Sequence, residues 1–273
     1  MYELSLQPTI LSIAGSDPTG GAGIQADLKT ITAIGVYGAA AITCLTIQNA
    51  RGVQEIKPLP AEFIKAQILA VLADHNVTHI KIGMTGNEEI IASLSRLLDS
   101  FSGEVIYDPV LAATSGQRLF TSNTLSSLRQ ELLPCVSYLT PNSSELQLLG
   151  NQDITSSQDA IHCAHGLLKQ YPQMKGIIVK GGHLNETSNT ISDFLIQSDE
   201  SVSESKRQRV HNPHLHGTGC TYSSALASYL CLEHDPITSF QMTGQYMNNI
   251  IEAGKNKSVS SSDSNGPLLH FLT

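Results

Sequence analysis

The chain lacks the sequence features that mark secreted and membrane proteins. Its five cysteines are an odd number and include no C-x-x-C pair, which is typical of a reducing compartment rather than of a disulfide framework. Residues 1–7 have no basic flank or long apolar core, and no uninterrupted apolar run approaches the length of a membrane span. We therefore expect a cytoplasmic protein with no signal peptide and no membrane partner.

Positive charge is also scarce. The chain has 16 lysines and arginines against 24 aspartates and glutamates, a formal net charge of −8. Its basic cluster at residues 206–209 is typical of a solvated hairpin or strand edge, so the charge balance argues against nucleic acid as a partner. The histidines within 162–165 and 211–216 have no cysteine or carboxylate at a spacing that completes a zinc site, and we expect no structural zinc.

Two familiar nucleotide motifs are absent or incomplete. A Walker A loop needs G-x-x-x-x-G-K-[ST], but Gly254-Lys255 is followed by asparagine, which excludes a P-loop enzyme. Residues 21–26 do satisfy G-x-G-x-x-A at a predicted helix start, so a dinucleotide-binding oxidoreductase is a competing hypothesis. Against it, the connection from the preceding strand is too long for the usual tight turn, and the second strand ends at Gln48-Asn49 rather than at an acidic residue.

The most informative features present are two glycine-rich segments that each precede a predicted helix. In His216-Gly217-Thr218-Gly219-Cys220-Thr221, the glycines allow N–H groups to converge where the helix begins, which makes an anion site. The helix field would favour the thiolate form of Cys220 and let it meet a substrate hydroxyl. The alternative is a glycine-rich helix start with a buried cysteine. The second segment, residues 15–23, has four glycines and allows a ligand to approach the backbone closely.

Apolar runs and helical periodicities alternate along the chain, which predicts an α/β fold with a mainly parallel sheet and helices on both faces. The predicted strands are 9–14, 39–47, 78–82, 104–107, 136–140 and 176–180. Predicted helices include 61–74, one that starts at Thr218, and 236–253, while 192–197 and 206–212 predict an antiparallel hairpin at a sheet edge. We expect a single domain, 1–273, with ligands beyond the carboxyl ends of the strands.

The stretch from Ile13 to Thr30 resembles the N-terminal signature of hydroxymethylpyrimidine/phosphomethylpyrimidine kinases of thiamine synthesis, within the ribokinase-like superfamily. Further matches follow in family order: Gln48-Asn49, Lys81-Ile82-Gly83-Met84, Asp108-Pro109-Val110, Thr140-Pro141-Asn142 with Glu145, Lys180-Gly181-Gly182-His183, and His216 to Thr221. The resemblance implies a ribokinase-like three-layer α/β/α sandwich. It also implies a homodimeric kinase that uses ATP to phosphorylate 4-amino-5-hydroxymethyl-2-methylpyrimidine and then its monophosphate. The alternative is a pyridoxal/pyridoxine kinase, which acts on a similar heteroaromatic compound.

Phosphoryl transfer requires a cradle for the transferring group, a positioned acceptor hydroxyl and a metal that neutralises the polyphosphate. The predicted cradle consists of the backbone amides of Gly217, Thr218, Gly219 and Cys220. Asp108 and Glu145 are the carboxylates available for Mg²⁺, directly or through water, and Lys180 contributes positive charge near the phosphates. Two roles stay open for Cys220, which is either the base or only a group that positions the hydroxyl.

On the acceptor side, Gln48 offers an amide donor and acceptor together, which suits the edge of an aminopyrimidine. By resemblance, Asp27 and the backbone near Gly15 also contact the pyrimidine, and Met84 and Val110 form apolar walls. The alternative for Asp27 is a carboxylate on the helix surface. These residues make up the predicted substrate site.

On the nucleotide side, the resemblance implies that Asn142 and Lys180 bind ATP, with Lys257 as a further candidate. Similar kinases carry a Gly-Lys-Gly followed by Gly-Pro near this point, whereas residues 254–257 here read Gly-Lys-Asn-Lys and then run into serines. The serine-rich residues 258–264 predict a flexible loop.

Residues 111–119 are rich in small side chains and predict a flap that excludes water during transfer. A scaffold protein with no chemistry is the third hypothesis. It would explain the fold but not a glycine anion site beside a cysteine, an acidic residue at a strand end and a lysine before a glycine pair.

Overall fold

The structure is a computed structural model that describes residues 7–49, 51–112, 118–183, 189–212, 214–259, 266–270 and 272. Most of the predicted flap, 113–117, and most of the predicted serine-rich loop, 260–264, lie outside the described residues. No helix among the described residues is long and apolar enough to cross a membrane.

The described residues form one nine-stranded sheet with the order β3-β2-β1-β4-β5-β6-β7-β8-β9. Its strands are β1 (Thr9–Ser16), β2 (Tyr37–Asn49), β3 (Gly52–Pro58), β4 (Val77–Ile82), β5 (Glu104–Tyr107), β6 (Tyr138–Leu139), β7 (Gly176–Val179), β8 (Thr190–Gln197) and β9 (Val202–Gln208). The five pairs from β2 to β7 are parallel, and β3, β8 and β9 add antiparallel edges. The predicted mainly parallel sheet is therefore confirmed.

Eight α-helices connect the strands within the described part of the chain. They are α1 (Gly23–Ile34), α2 (Ala61–Asp74), α3 (Glu88–Leu98), α4 (Ser122–Ser127), α5 (Ser143–Gly150), α6 (Ser157–Gln170), α7 (Thr218–Cys231) and α8 (Pro236–Gly254). The predicted helix 61–74 matches α2, and 236–253 matches α8 to within one residue.

The helices cover both faces of the sheet, because the central strands are apolar on both sides. In β5, Val105 and Tyr107 pack into the core shared with α2, α3, α5 and α6, whereas Ile106 packs into the core shared with α1, α7 and α8. Alternate side chains of a strand point to opposite faces, so a continuous apolar run fills both cores. The predicted three-layer α/β/α arrangement is confirmed.

Two strand predictions were incomplete. No local pattern indicated β3, whose side chains are half-buried or exposed and which pairs with β2 as a hairpin. The second arm of the edge hairpin was predicted at 206–212, but β9 runs over Val202–Gln208, directly after the turn that follows Gln197. Its alternation of exposed and half-buried polar residues resembles a loop more than a strand.

Candidate active site

A cavity of about 420 Å³ opens at the carboxyl ends of the parallel strands. It is lined by most of the residues predicted from the sequence: Gly15, Gln48, Met84, Asp108, Val110, Asn142, Glu145, Lys180, Gly217, Thr218, Gly219 and Cys220. The topology explains this convergence, because Asp108 follows β5 and Lys180 follows β7 directly. Val53, on the unpredicted strand β3, is also part of the wall.

The floor of one end of the cavity is the N-terminus of α7. Gly217 caps this helix with φ 84°, and a Cβ there would lie 1.8 Å from the backbone oxygen of Gly21, so only glycine fits. Within the described residues, no backbone acceptor takes the amide protons of Gly219 or Cys220. Free amides at the positive end of a helix form an anion site, so the geometry suits a phosphoryl group.

The other glycine-rich loop differs from the sequence-based expectation, because its own aspartate occupies its donors. The Asp17 carboxylate accepts hydrogen bonds from the backbone N–H groups of Thr19, Gly21 and Ala22 at 2.8, 3.2 and 2.8 Å. Asp17 is 1% exposed. The amides that a G-x-G-x-x-A loop would offer to a pyrophosphate are already used, which argues against the dinucleotide-binding hypothesis.

Asp17 also joins the two glycine-rich segments. Its Oδ2 lies 2.9 Å from Nε2 of His216, which lines the cavity beside Gly217. Burial favours protonation of Asp17, but hydrogen bonds from His216 and Thr19 lower the pKa of this carboxyl below its usual value. An ionised carboxylate only accepts, so Nε2 of His216 carries the proton. His216 had no role of its own in the sequence-based prediction, although its position immediately before the glycines was the available signal.

On the opposite side of the cavity, two carboxylates flank one ammonium group. Lys180 Nζ lies 2.8 Å from Asp108 Oδ1 and 3.9 Å from Glu145 Oε2. Burial opposes the charge of Lys180, but the two carboxylates raise its pKa. A Cβ at Gly219 would lie 3.4 Å from Asp108 and 3.5 Å from Lys180 Nζ, so these charges face the start of α7.

Glu145 and Asn142 hold each other at the start of α5. Asn142 accepts the Glu145 N–H at 2.9 Å, and Glu145 accepts the Asn142 N–H at 2.8 Å, which is a capping box. Burial raises the pKa of Glu145 to about 7, Lys180 opposes this effect, and Asp108 adds to it. One ammonium group does not fully compensate two buried carboxylates, so the pair suits an additional cation.

The charges and burial around Cys220 do not favour the thiolate form that was expected from its position at a helix start. Burial raises the pKa of its thiol to about 12, while the nearby Lys81 ammonium acts in the opposite direction. The thiol is therefore protonated at neutral pH, and the expected thiolate is not the resting form. The side chain itself lies where it was predicted, at the start of α7 on the cavity wall.

The predicted substrate wall is formed at the ends of β1, β2 and β4. Gln48 and Thr46 line the cavity from alternate positions of β2. Gly15 leaves no room for a side chain, because a Cβ there would lie 2.8 Å from Cys44 Sγ and 3.0 Å from Met84 Cε. Cys44 and Met84 already fill the space that a side chain at this position would take.

Two predicted site residues do not line the cavity. Asp27 is fully buried and forms an ion pair with Lys81, so the expectation that it contacts the substrate directly is wrong for this structure. Lys257 is exposed after the end of α8 and lies outside the cavity wall, and its contact with ATP stays a prediction.

Comparisons with known proteins identify the family of the chain. Residues 17–268 match the family described as phosphomethylpyrimidine kinase. The chain is 39% identical to a hydroxymethylpyrimidine/phosphomethylpyrimidine kinase of Haemophilus influenzae, with 96% of each chain covered. A thiamine biosynthesis multifunctional protein of Corynebacterium glutamicum is 37% identical, covering 96% of this chain and 34% of that protein. A thiamine biosynthetic bifunctional enzyme of Arabidopsis thaliana is 36% identical, covering 97% of this chain and 50% of that protein.

Solved structures share the fold over nearly the whole chain. A phosphomethylpyrimidine kinase from Clostridium difficile 630 is 32% identical with a TM-score of 0.77, covering 89% of this chain and 98% of that chain. A pyridoxal kinase from Bacillus subtilis is 26% identical with a TM-score of 0.85, covering 98% of both chains.

Proposed function

Because the chain belongs to the phosphomethylpyrimidine kinase family, we propose that it transfers the γ-phosphoryl group of ATP to 4-amino-5-hydroxymethyl-2-methylpyrimidine and then to its monophosphate. The product is the pyrimidine diphosphate used in thiamine diphosphate biosynthesis. The family is one of kinases on the ribokinase-like fold, so the oxidoreductase and scaffold hypotheses are set aside.

One observation carries the proposal: the free amides at the start of α7 face Asp108 and Lys180 across a cavity that also contains Gln48. In phosphoryl transfer the protein mainly positions the groups and stabilises charge. The Gly219 and Cys220 amides would hold the equatorial oxygens of the transferring group. The Cys220 side chain would meet the acceptor hydroxyl, and Lys180 would neutralise the polyphosphate.

Mg²⁺ fits the two carboxylates on the nucleotide side. Asp108 and Glu145 are oxygen ligands of the kind that hard cations prefer. Burial raises the pKa of Glu145 and the Asp108 charge adds to this effect, so a bound cation would favour the ionised carboxylate. We propose that these side chains hold Mg²⁺ directly or through water. The metal would supply charge neutralisation of the polyphosphate, while Asn142 fixes Glu145 through the capping box.

The pyrimidine is favoured over pyridoxal for two reasons. The relatives named as pyrimidine kinases reach 39% identity, against 26% for the Bacillus subtilis pyridoxal kinase. In addition, the Gln48 amide can pair with the ring nitrogen and the exocyclic amine of an aminopyrimidine at once, whereas pyridoxal has no such adjacent pair.

The test compares phosphate transfer to the pyrimidine alcohol, its monophosphate and pyridoxal, in the wild type and in Gln48→Leu. We expect wild-type turnover to be highest on the pyrimidines. Leaving the pyrimidine edge unpaired costs about 1–3 kcal/mol, so the ratio of kcat/KM for pyrimidine over pyridoxal should fall by roughly one to two orders of magnitude in Gln48→Leu. Equal losses on both substrates would remove Gln48 from recognition and favour the pyridoxal hypothesis.

We also propose three properties of the whole protein. Residues 1–273 act as a single kinase domain, two copies form a homodimer, and the enzyme works in the cytoplasm. The dimer is supported by the exposed apolar side chains of Leu45 and Ile47 on β2. The odd number of cysteines supports a reducing compartment, and all five are free thiols in the structure.

A further inference from the structure

A fully buried polar cluster lies beneath the cavity and has no part in the chemistry described so far. It consists of Ser12 on β1, Asp27 on α1, Lys81 on β4 and Ser224 on α7, each with no exposed surface. Lys81 Nζ donates to both carboxylate oxygens of Asp27 at 2.9 and 3.0 Å. Ser12 and Ser224 donate to the same carboxylate at 2.6 and 2.8 Å. Asp27 therefore links α7 to two strands and to α1.

Such a cluster is a weak source of stability. Removing two charges from water costs about as much as their attraction returns, and well-packed apolar residues at such positions are often equally stable or more so. Stability alone therefore gives no reason for a lysine at position 81. The location of Lys81 close to the active site suggests a reason instead.

Lys81 lies under the start of α7. Ser224 follows Cys220 by four residues, so both side chains lie on one face of the helix, and Ser224 brings that face onto Asp27. A Cβ at Gly83, at the cavity end of β4, would lie 3.1 Å from Lys81 Nζ. The charge of Lys81 acts on both Cys220 and Asp108. A buried cation is thus held close to the cavity end of β4, where its charge acts on the Cys220 side chain.

We propose that Lys81 is a positioning residue of the proposed kinase: its ammonium group orients the Asp27 carboxylate, which accepts from Ser224 and so holds the first two turns of α7, and it keeps a positive charge near the Cys220 side chain. This inference rests on the proposed function. It also replaces the expected substrate contact of Asp27 with an indirect role, in which the carboxylate links Lys81 to Ser224 on α7.

The charged groups that act on Cys220 differ in sign, which gives the proposal a specific readout. Lys81 lowers the pKa of the Cys220 thiol, whereas Asp27 and Asp108 raise it, and the effect of Lys81 is the largest of the three. Lys180 also interacts with Cys220 from the nucleotide side. Removing Lys81 and the charge of Asp27 together should therefore leave less thiolate at a given pH.

The experiment uses the full chain and the variants Lys81→Met and Lys81→Met/Asp27→Asn. The single variant leaves a buried carboxylate unpaired and is expected to lose stability. The double variant removes both charges and keeps similar shapes, so its Tm should return close to that of the wild type. Lys175→Met, which breaks the surface pair with Glu104, is the control that should leave all readouts unchanged.

Two readouts separate a positioning role from a structural one. In the double variant, kcat for the pyrimidine should remain at least about tenfold below the wild type while KM for ATP changes little. Alkylation of Cys220 by iodoacetamide at pH 8, followed by peptide mass spectrometry, should slow severalfold, because the double variant loses the larger effect of Lys81 together with the smaller, opposite effect of Asp27. If the double variant regains Tm, kcat and the alkylation rate together, the pair is only structural and the proposal is wrong.

The alkylation arm also separates this inference from the proposed function. If the wild type does not phosphorylate the pyrimidine, the proposed function fails whatever the variants do. If the wild type is active but Cys220 reacts equally fast in the wild type and the double variant, only the role of Lys81 fails.

Discussion

At the residue scale, Cys220 is the side chain whose replacement is most informative. Its thiol lines the cavity at the start of α7, and burial raises its pKa to about 12. We expect Cys220→Ser to lower kcat by about 10²-fold, the lower end of what a proton-transfer group contributes, and to leave ATP binding nearly unchanged. Steady-state kinetics and nucleotide titration measure the two effects.

Cys135→Ser is the matched control, because this thiol is partly buried and does not line the cavity. It should be close to neutral in both assays. In the wild type, ATP and pyrimidine together should slow alkylation of Cys220 and leave that of Cys135 unchanged. Normal turnover in Cys220→Ser would remove the thiol from the mechanism.

The raised pKa of Glu145 makes stability depend on pH. Burial raises this pKa from 4.5 to about 7 in the folded protein. Between these values the folded state binds more protons than the unfolded state, so the stability from this group is complete below pH 4.5 and is lost as pH rises through 7. Glu145→Gln keeps the capping acceptor and removes the titration. The difference in Tm between Glu145→Gln and the wild type should therefore increase from about pH 5 to pH 8. The increase should be about 2–4 °C for each kcal/mol of folding free energy that the wild type loses.

The measurement is a thermal melt at several pH values with EDTA, repeated with Mg²⁺. Mg²⁺ should flatten the wild-type profile, since a cation compensates the ionised Glu145, and should have little effect on the profile of Glu145→Gln. Glu62→Gln, in the exposed first turn of α2, is the control. Parallel pH profiles of Tm for the wild type and Glu145→Gln would contradict the raised pKa of Glu145.

Individual residues were predictable from sequence where a strand end exposes them to the cavity. Gln48 and Asp108 fall in this class. Asp27 was not predictable, because the sequence around it is compatible with a substrate contact and with a helix-surface carboxylate, whereas the structure shows a buried ion pair. The partner that decides between them, Lys81, is 54 positions away in the sequence.

At the element scale, the start of α7 depends on Gly217. This residue has φ 84°, and a Cβ would overlap the Gly21 backbone oxygen at 1.8 Å. Gly217→Ala must therefore separate the two glycine-rich segments or unwind the first turn of the helix. We expect a loss of more than about 2 kcal/mol in the free energy of unfolding and loss of kinase activity, measured by urea denaturation and turnover.

Gly166→Ala is the matched control within a helix. Gly166 lies in α6, and no neighbouring atom lies within 4 Å of the position that a Cβ would take. Alanine should therefore stabilise the protein by about 0.5–1 kcal/mol through helix propensity. If both alanine variants have the same free energy of unfolding as the wild type, the close contact between Gly217 and Gly21 is not a constraint in solution.

Elements with a buried face were predictable, and those without one were not. The apolar runs of β1 and β5 are visible because both faces of each strand enter a core. β3 has the sequence Gly-Val-Gln-Glu-Ile-Lys-Pro and no buried residue, so its position is fixed by pairing with β2 rather than by its own pattern. Such pairing is not visible in local periodicity.

At the scale of the whole molecule, the alternation of strands and helices was enough to predict the layers and the edge of the sheet that carries the site. It did not predict how the two glycine-rich segments meet. Asp17 and His216 are 199 positions apart, and their contact depends on α1 and α7 packing side by side on one face of the sheet. The sequence therefore predicted the position of both segments but not their different roles. Residues 15–23 use their amides on Asp17 and support His216, whereas residues 216–221 offer free amides to a ligand.

The proposed homodimer gives the last prediction, because the β2 strand has two different faces. Gln48 and Thr46 point into the cavity, while Leu45 and Ile47, 45% and 54% exposed, point away from it. Ile47 pairs with Glu55 on β3, so Ile47→Lys creates a favourable cross-strand pair and should fold. Burying the new charge in a dimer interface is costly, so light scattering should show a monomer. The KM for the pyrimidine should also increase, because the strand that carries Gln48 is no longer supported by the partner subunit. Val202→Lys, at the opposite edge of the sheet, should keep the wild-type mass. A dimer that persists in Ile47→Lys would exclude this face as the interface.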